Sequence, residues 1–147
     1  LINGNLICNS SVVVRKNLLD KVGGINESKN LVAAEDYNTW LRIANLTNQF
    51  VYLPHTLGYY LKHSGSLSNK NMSLPTKYAI EEFLGVLKNQ QKIKLEARIR
   101  YTSGRFHYLN FNFEKAKKEL LFVLKKGSIV LKARSLLMII NIFMRYE

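Results

Sequence analysis

The chain has 147 residues, 47% of them hydrophobic and 11% aromatic, and its 22 Lys and Arg against 10 Asp and Glu give a formal net charge of +12. That length suits one domain or one domain with an appendage, and the apolar content excludes wholesale disorder. The single Cys8 excludes an internal disulfide framework and a cysteine-rich zinc site, and no run of about 20 apolar residues offers a bilayer-spanning helix.

The chain begins at Leu1 rather than Met, which leads to the expectation that it is part of a longer protein. Residues 6–14 contain Val12-Val13-Val14, a β-branched run that predicts a buried strand. Residues 15–22 read as a short helix stopped by Gly23-Gly24, because glycine takes the left-handed C-terminal position without a Cβ clash. A polar loop over 26–34 follows. A second helix is predicted over 35–46, with Tyr37, Trp40, Leu41 and Ala44 on one face. Residues 50–53 and 57–61 are predicted as short strands around Pro54, and 63–75, rich in Ser and Asn, as a loop or linker. Short strands alternating with helices predict part of an α/β domain over 1–74.

From Pro75 the pattern turns wholly helical, which predicts a helical appendage over 75–147. One helix starts around Tyr78, Phe83, Val86 and Leu87, and others span 92–109, 113–126 and 129–146, with Gly127-Ser128 between the last two. Ala116, Leu120 and Val123 or Leu124 share a face in the third. Helix pairs of this length resemble a tetratricopeptide-type hairpin, although only one such unit is visible. The last helix is strongly apolar. It reads either as a buried packing helix or as an interfacial membrane helix, with Lys132, Arg134 and Arg145 facing lipid phosphates.

The positive charge is concentrated in this second half. Residues 1–74 carry 7 basic and 4 acidic side chains, and 75–147 carry 15 and 6. Such an excess fits nucleic acid, an anionic membrane surface or phosphorylated substrates, and equally a solvated lysine-rich helix surface. Aromatics interleave with cations at Arg98, Arg100, Tyr101, Arg105, Phe106 and Tyr108, but helical spacing already assigns those aromatics to a core. No nucleic-acid motif of defined spacing accompanies them.

The chemistry gathers at Glu35-Asp36. Adjacent carboxylates at a helix start serve the helix dipole and free amides in many proteins. Here their context is Asn9-Ser10-Ser11-Val12-Val13-Val14-Arg15, then Val22-Gly23-Gly24-Ile25-Asn26-Glu27, then Ala34-Glu35-Asp36-Tyr37-Asn38-Thr39-Trp40-Leu41-Arg42. Leu57-Gly58-Tyr59-Tyr60-Leu61-Lys62-His63-Ser64-Gly65-Ser66-Leu67-Ser68 follows. In order and spacing these four elements resemble the latter half of the catalytic domain of family-2 glycosyltransferases. That half carries a serine-bearing strand, a V-G-G turn, an E-D-x-x-x-W-x-R helix and a closing Y-R-x-H-x-x-S-x-S element. The resemblance covers residues 5–68.

The resemblance implies the C-terminal portion of an A-type nucleotide-sugar transferase domain and metal-dependent, inverting transfer to a saccharide or lipid-linked acceptor. Asp36 would be the base that takes the acceptor proton, and Glu35 would position the acceptor or the base. Trp40 and Arg42 would anchor the helix, with Trp40 bordering the acceptor site. His63 would complete a Mn²⁺ or Mg²⁺ site with aspartates of an upstream D-x-D motif. The family's Arg after Tyr is Leu61 here, so Lys62 would meet the diphosphate in its place. The only aspartates are Asp20 and Asp36, so no D-x-D is present. The chain alone is therefore expected to be inactive. The implied location is the cytoplasm, at the inner face of the membrane. A contrasting reading makes 75–147 a non-catalytic module that docks a partner, a membrane surface or a second copy.

Overall fold

In the computed structural model, residues 1–59, 61, 65–66 and 69–145 are described. Among them are six α-helices and no strand: α1 (Lys16–Lys21), α2 (Glu35–Leu46), α3 (Ser73–Ile80), α4 (Asn89–Leu109), α5 (Phe113–Lys126) and α6 (Ile129–Met144). Short 3-10 turns cover Asn9–Ser11, Lys29–Leu31 and Glu81–Val86.

The helices follow local chemistry. Lys16 and Asp20 pair across one turn of α1, which ends where Gly23 and Gly24 both take positive φ, 77° and 76°. That conformation costs glycine nothing and other residues roughly 1 kcal/mol or more. Two acidic residues open α2. Pro75 sits in the first turn of α3, where its missing N–H breaks no helical hydrogen bond. The side chain of Asn112 accepts from the Lys115 amide at 3.4 Å and so caps α5.

The α/β arrangement expected for residues 1–74 is not seen among the described residues. A β-rich stretch becomes a strand only when its backbone groups pair with a neighbour. The 6–14 stretch is instead interrupted by the Asn9–Ser11 turn, where the Ser11 hydroxyl donates to the Cys8 carbonyl at 2.8 Å. Val13 is fully exposed there, and Val12 and Val14 are only partly covered. Residues 50–53 run irregular and exposed, as do the described residues of 57–61.

Two apolar clusters hold the helices. The first joins Leu31, Ala34, Tyr37 and Leu41 to Ala79, Ile80 and Leu95, so it draws on both sides of Pro75. The second joins Ala116 and Leu120 of α5 to Ile139 and Ile142 of α6, with Tyr101 and Tyr108 of α4 packed against it. At 21 residues, α4 is long enough to serve both. Leu95 and the central Ile99 enter the first cluster, and Tyr101 and Tyr108 further along enter the second. Arg100 reinforces this wall: it contacts Glu96 at 2.7 Å and Glu119 of α5 at 3.4 Å, and lies 4.3 Å from the centre of the Phe122 ring. Tyr108 donates its hydroxyl proton to Asn141 of α6 at 2.8 Å.

The approach of α4 to α5 is set by Gly104. A Cβ added there would lie 2.9 Å from Cγ and Cδ2 of the fully buried Leu120 and 3.2 Å from Cβ of Glu119. A side chain at 104 therefore forces the two helices apart. Gly104→Val is expected to destabilise the chain by about 2 kcal/mol, read as a lower urea midpoint at unchanged slope. Gly104→Ala is expected to cost less, since its gain in helix propensity of about 1 kcal/mol offsets part of the clash.

Candidate functional site

The carboxylates of Glu35 and Asp36 stand in the first turn of α2, where free amide N–H groups and the helix dipole favour negative charge. Just before them Ala33 has φ of 68°, an unusual conformation for a residue with a Cβ. Ala34, the residue before the helix, is buried and packs in the first cluster. The chain thus enters α2 through a strained residue and a buried one, which fixes where the carboxylates point.

Asp36 is half-buried. Its Oδ1 accepts from its neighbour's amide, Tyr37 N, at 2.6 Å, and Asn5 Nδ2 lies 3.5 and 3.4 Å from the two carboxylate oxygens. Burial pushes the Asp36 carboxyl above its ordinary value near 3.8, and the Glu35 charge adds to the rise, while the Tyr37 amide and Asn5 oppose it. Glu35 has one carboxylate oxygen, Oε2, that is buried without a hydrogen-bond partner. A buried acceptor left unmatched costs free energy that a hydroxyl donor would relieve.

The rest of α2 is structural. Asn38 is buried and donates to the Ala79 carbonyl at 3.0 Å and to Glu82 at 2.7 Å. Its own oxygen accepts from Arg42 Nε at 2.9 Å. The Arg42 guanidinium then continues to the carbonyls of Val22 and, at 2.8 Å, Gly24. Arg42 therefore caps the carbonyl end of α1 and pins the glycine turn to α2. Trp40 is buried, and its indole N–H has no hydrogen-bond partner. Tyr37 donates its hydroxyl proton to the Leu1 carbonyl at 3.0 Å, and burial raises its pKa, so it stays a neutral donor.

The structure brings Glu35 and Asp36 together on one end of α2 and places Trp40 and Arg42 further along the helix. Lys62 and His63 lie outside the described residues. Among the described residues no group of three His, Cys, Asp or Glu side chains comes together, so they do not by themselves form a cage for the divalent cation implied by the resemblance. Asn5 and Asn38 were not singled out from sequence. Asn38 had a signal: it stands four residues before Arg42, the spacing at which helical side chains meet. Asn5 had none, since its contact with Asp36 spans 31 residues. Beside Asn38 a cleft of about 430 Å³ is lined by Asn26, Ser28, Asn30, Leu31, Tyr78, Glu81 and Glu82, and neither Glu35 nor Asp36 lines it.

Compared with known proteins, the chain matches no family model, no curated protein and no solved structure.

Two predictions come from this geometry. Because the folded state raises the pKa of Asp36, its ionised form weakens the fold as pH climbs past the ordinary value near 3.8, and the cost persists at neutral pH. Asp36→Asn is accordingly expected to raise the melting temperature at pH 7, with the gain vanishing below pH 3.8; thermal melts across pH check this. Asn38→Ala strands the partners Glu82 and Arg42 and is expected to cost about 2–3 kcal/mol in chemical denaturation.

Proposed function

We propose that this chain is the acceptor-side part of an inverting, nucleotide-sugar-dependent glycosyltransferase, in which Asp36 is the general base. The observation that carries the reading is the carboxylate pair at the start of α2. Asp36 is half-buried with a raised pKa, and beside it Glu35 holds an unmatched buried acceptor. A raised pKa brings a carboxylate nearer to the value at which it takes a proton efficiently at neutral pH. The helix N-terminus and the Tyr37 amide keep enough of it ionised to act.

In the proposed step, the oxygen of an acceptor hydroxyl attacks the anomeric carbon of the donor sugar. As that bond forms, the hydroxyl proton passes to Asp36, and the sugar–phosphate bond breaks with its electron pair leaving on the nucleoside diphosphate. Glu35 holds the acceptor through a second hydroxyl. Asn5 is a positioning residue for the base, since its amide donates to the same carboxylate. The growing charge on the diphosphate falls to groups beyond the described residues, among them Lys62 and His63 in this proposal. The exposed apolar character of 6–14 and 50–53 also supports the reading, because β-rich segments of this kind suit the edge of a sheet supplied by further chain.

The test is nucleotide-sugar turnover by a longer chain that joins these residues to an upstream nucleotide-binding half. Asp36→Asn is expected to lower kcat by about 100-fold or more with little change in the donor KM. Near-normal turnover by that variant would remove Asp36 as the base. Transfer by the 147-residue chain alone would overturn the assignment of donor binding to another segment.

A further inference from the structure

The helix α6 uses one side to hold the fold. Ser135, Ile139 and Ile142 are buried on that side. At 100° per residue, the residues on the other side are Ile129, Val130, Ala133, Leu136, Leu137, Ile140, Phe143 and Met144, which fill an arc of about 140°. All are apolar, and all are exposed. No polar side chain interrupts the stripe.

Its borders are cationic. Lys132 lies at one edge, and Arg134 and Arg145 lie beyond the other, by the same helical geometry. The Lys117 ammonium stands 5.3 Å from the centre of the Phe143 ring, and the Arg145 guanidinium 5.8 Å from that of Phe111. Residues 120–147 contain five basic side chains and one acidic, Glu147. The nearest preceding carboxylates, Glu114 and Glu119, are paired with Lys117 and Arg100.

From this arrangement we infer that α6 docks on an anionic lipid surface, lying in its plane with the stripe in the acyl boundary and the bordering cations among the lipid phosphates. The charge pattern selects this occupant. A second copy would bring the same five cations and, from this segment, only the Glu147 side chain to meet them, so like charges would predominate. A bilayer supplies both an apolar layer and a fixed negative layer at the spacing of a helix and its side chains. Among the described residues no helix is long and apolar enough to cross a membrane, so the contact is parallel to the surface. This inference is independent of Asp36 and of sugar transfer.

The experiment uses the 147-residue chain with vesicles of phosphatidylcholine alone, or containing 30% phosphatidylserine (roughly the anionic content of a cytoplasmic leaflet). Sedimentation is expected to show binding at least about tenfold tighter to the anionic vesicles, weakening as salt rises from about 50 to 300 mM. Leu137→Glu and Arg134→Glu change exposed positions, and each is expected to weaken binding about tenfold with unchanged far-ultraviolet circular dichroism. Phe143→Trp is expected to show a blue-shifted emission on anionic vesicles, which charge attraction alone would not produce. Equal binding to both vesicle types, no binding, or binding untouched by Leu137→Glu overturns the inference. So does a dimer in light scattering that Leu137→Glu dissociates while vesicles are ignored, which would assign the stripe to a second copy.

Discussion

The guanidinium of Arg42 is the contact on which the first half of the chain depends. It joins the carbonyls of Val22 and Gly24, at the end of α1, to Asn38 within α2. Asn38 passes the link on to the Ala79 carbonyl and to Glu82. One charged group and one amide thereby tie three separate segments together. A planar guanidinium suits this task, because its donors leave in fixed directions and reach several carbonyls at once. Without that tie, the short α1 and the glycine turn after it would have little to hold them, since α1 contributes no buried residue.

The start of α2 lies outside that tie. Asn38 and Arg42 anchor one side of the helix, and Tyr37 and Leu41 bury another in the first cluster. In the first turn, Asp36 meets Asn5 instead. The arrangement of Glu35 and Asp36 is unfavourable to stability: burial opposes the Asp36 charge, Glu35 repels it, and Ala33 sits in a strained conformation beside them. A rigid scaffold that holds a locally costly group in place is what the base role proposed for Asp36 would require. Between the two clusters α4 does comparable work by packing. Its 21 residues touch both clusters, and Gly104 lets α5 lie close enough for Leu120 to be fully buried.

Much of this was legible from sequence, for identifiable reasons. The bounds of α2 and α5 come out as predicted, because strong amphipathic spacing and clear end signals agree there: an acidic pair before Tyr37 and Gly127 after Lys126. The helix expected around Tyr78, Phe83, Val86 and Leu87 is instead α3, which starts before Pro75 and ends at Ile80, followed by the 3-10 turn Glu81–Val86, and α4 starts at Asn89 rather than 92. The strands expected at 6–14, 50–53 and 57–61 are not among the described elements. Valine and tyrosine runs record a preference for a pleated, half-covered surface, and the preference becomes a strand only when a second strand offers its backbone. Ser11 instead satisfies the Cys8 carbonyl locally and turns the chain.

Sequence by itself determined the helices, the carboxylate pair at the start of α2 and the cationic, apolar character of the last helix. Each of these is written in spacing between residues a few positions apart, where one helical turn fixes the neighbours. Only the tertiary structure decided what those residues meet. It set Asn5 beside Asp36 across 31 positions, Asn38 against Ala79 and Glu82, and α4 between two clusters that divide the chain differently from Pro75. It also decided which side of α6 is buried. The reason is physical: burial, and with it the shifted acidity of Asp36 and the open face of α6, belongs to contacts between distant segments, and no local pattern encodes which distant segment arrives.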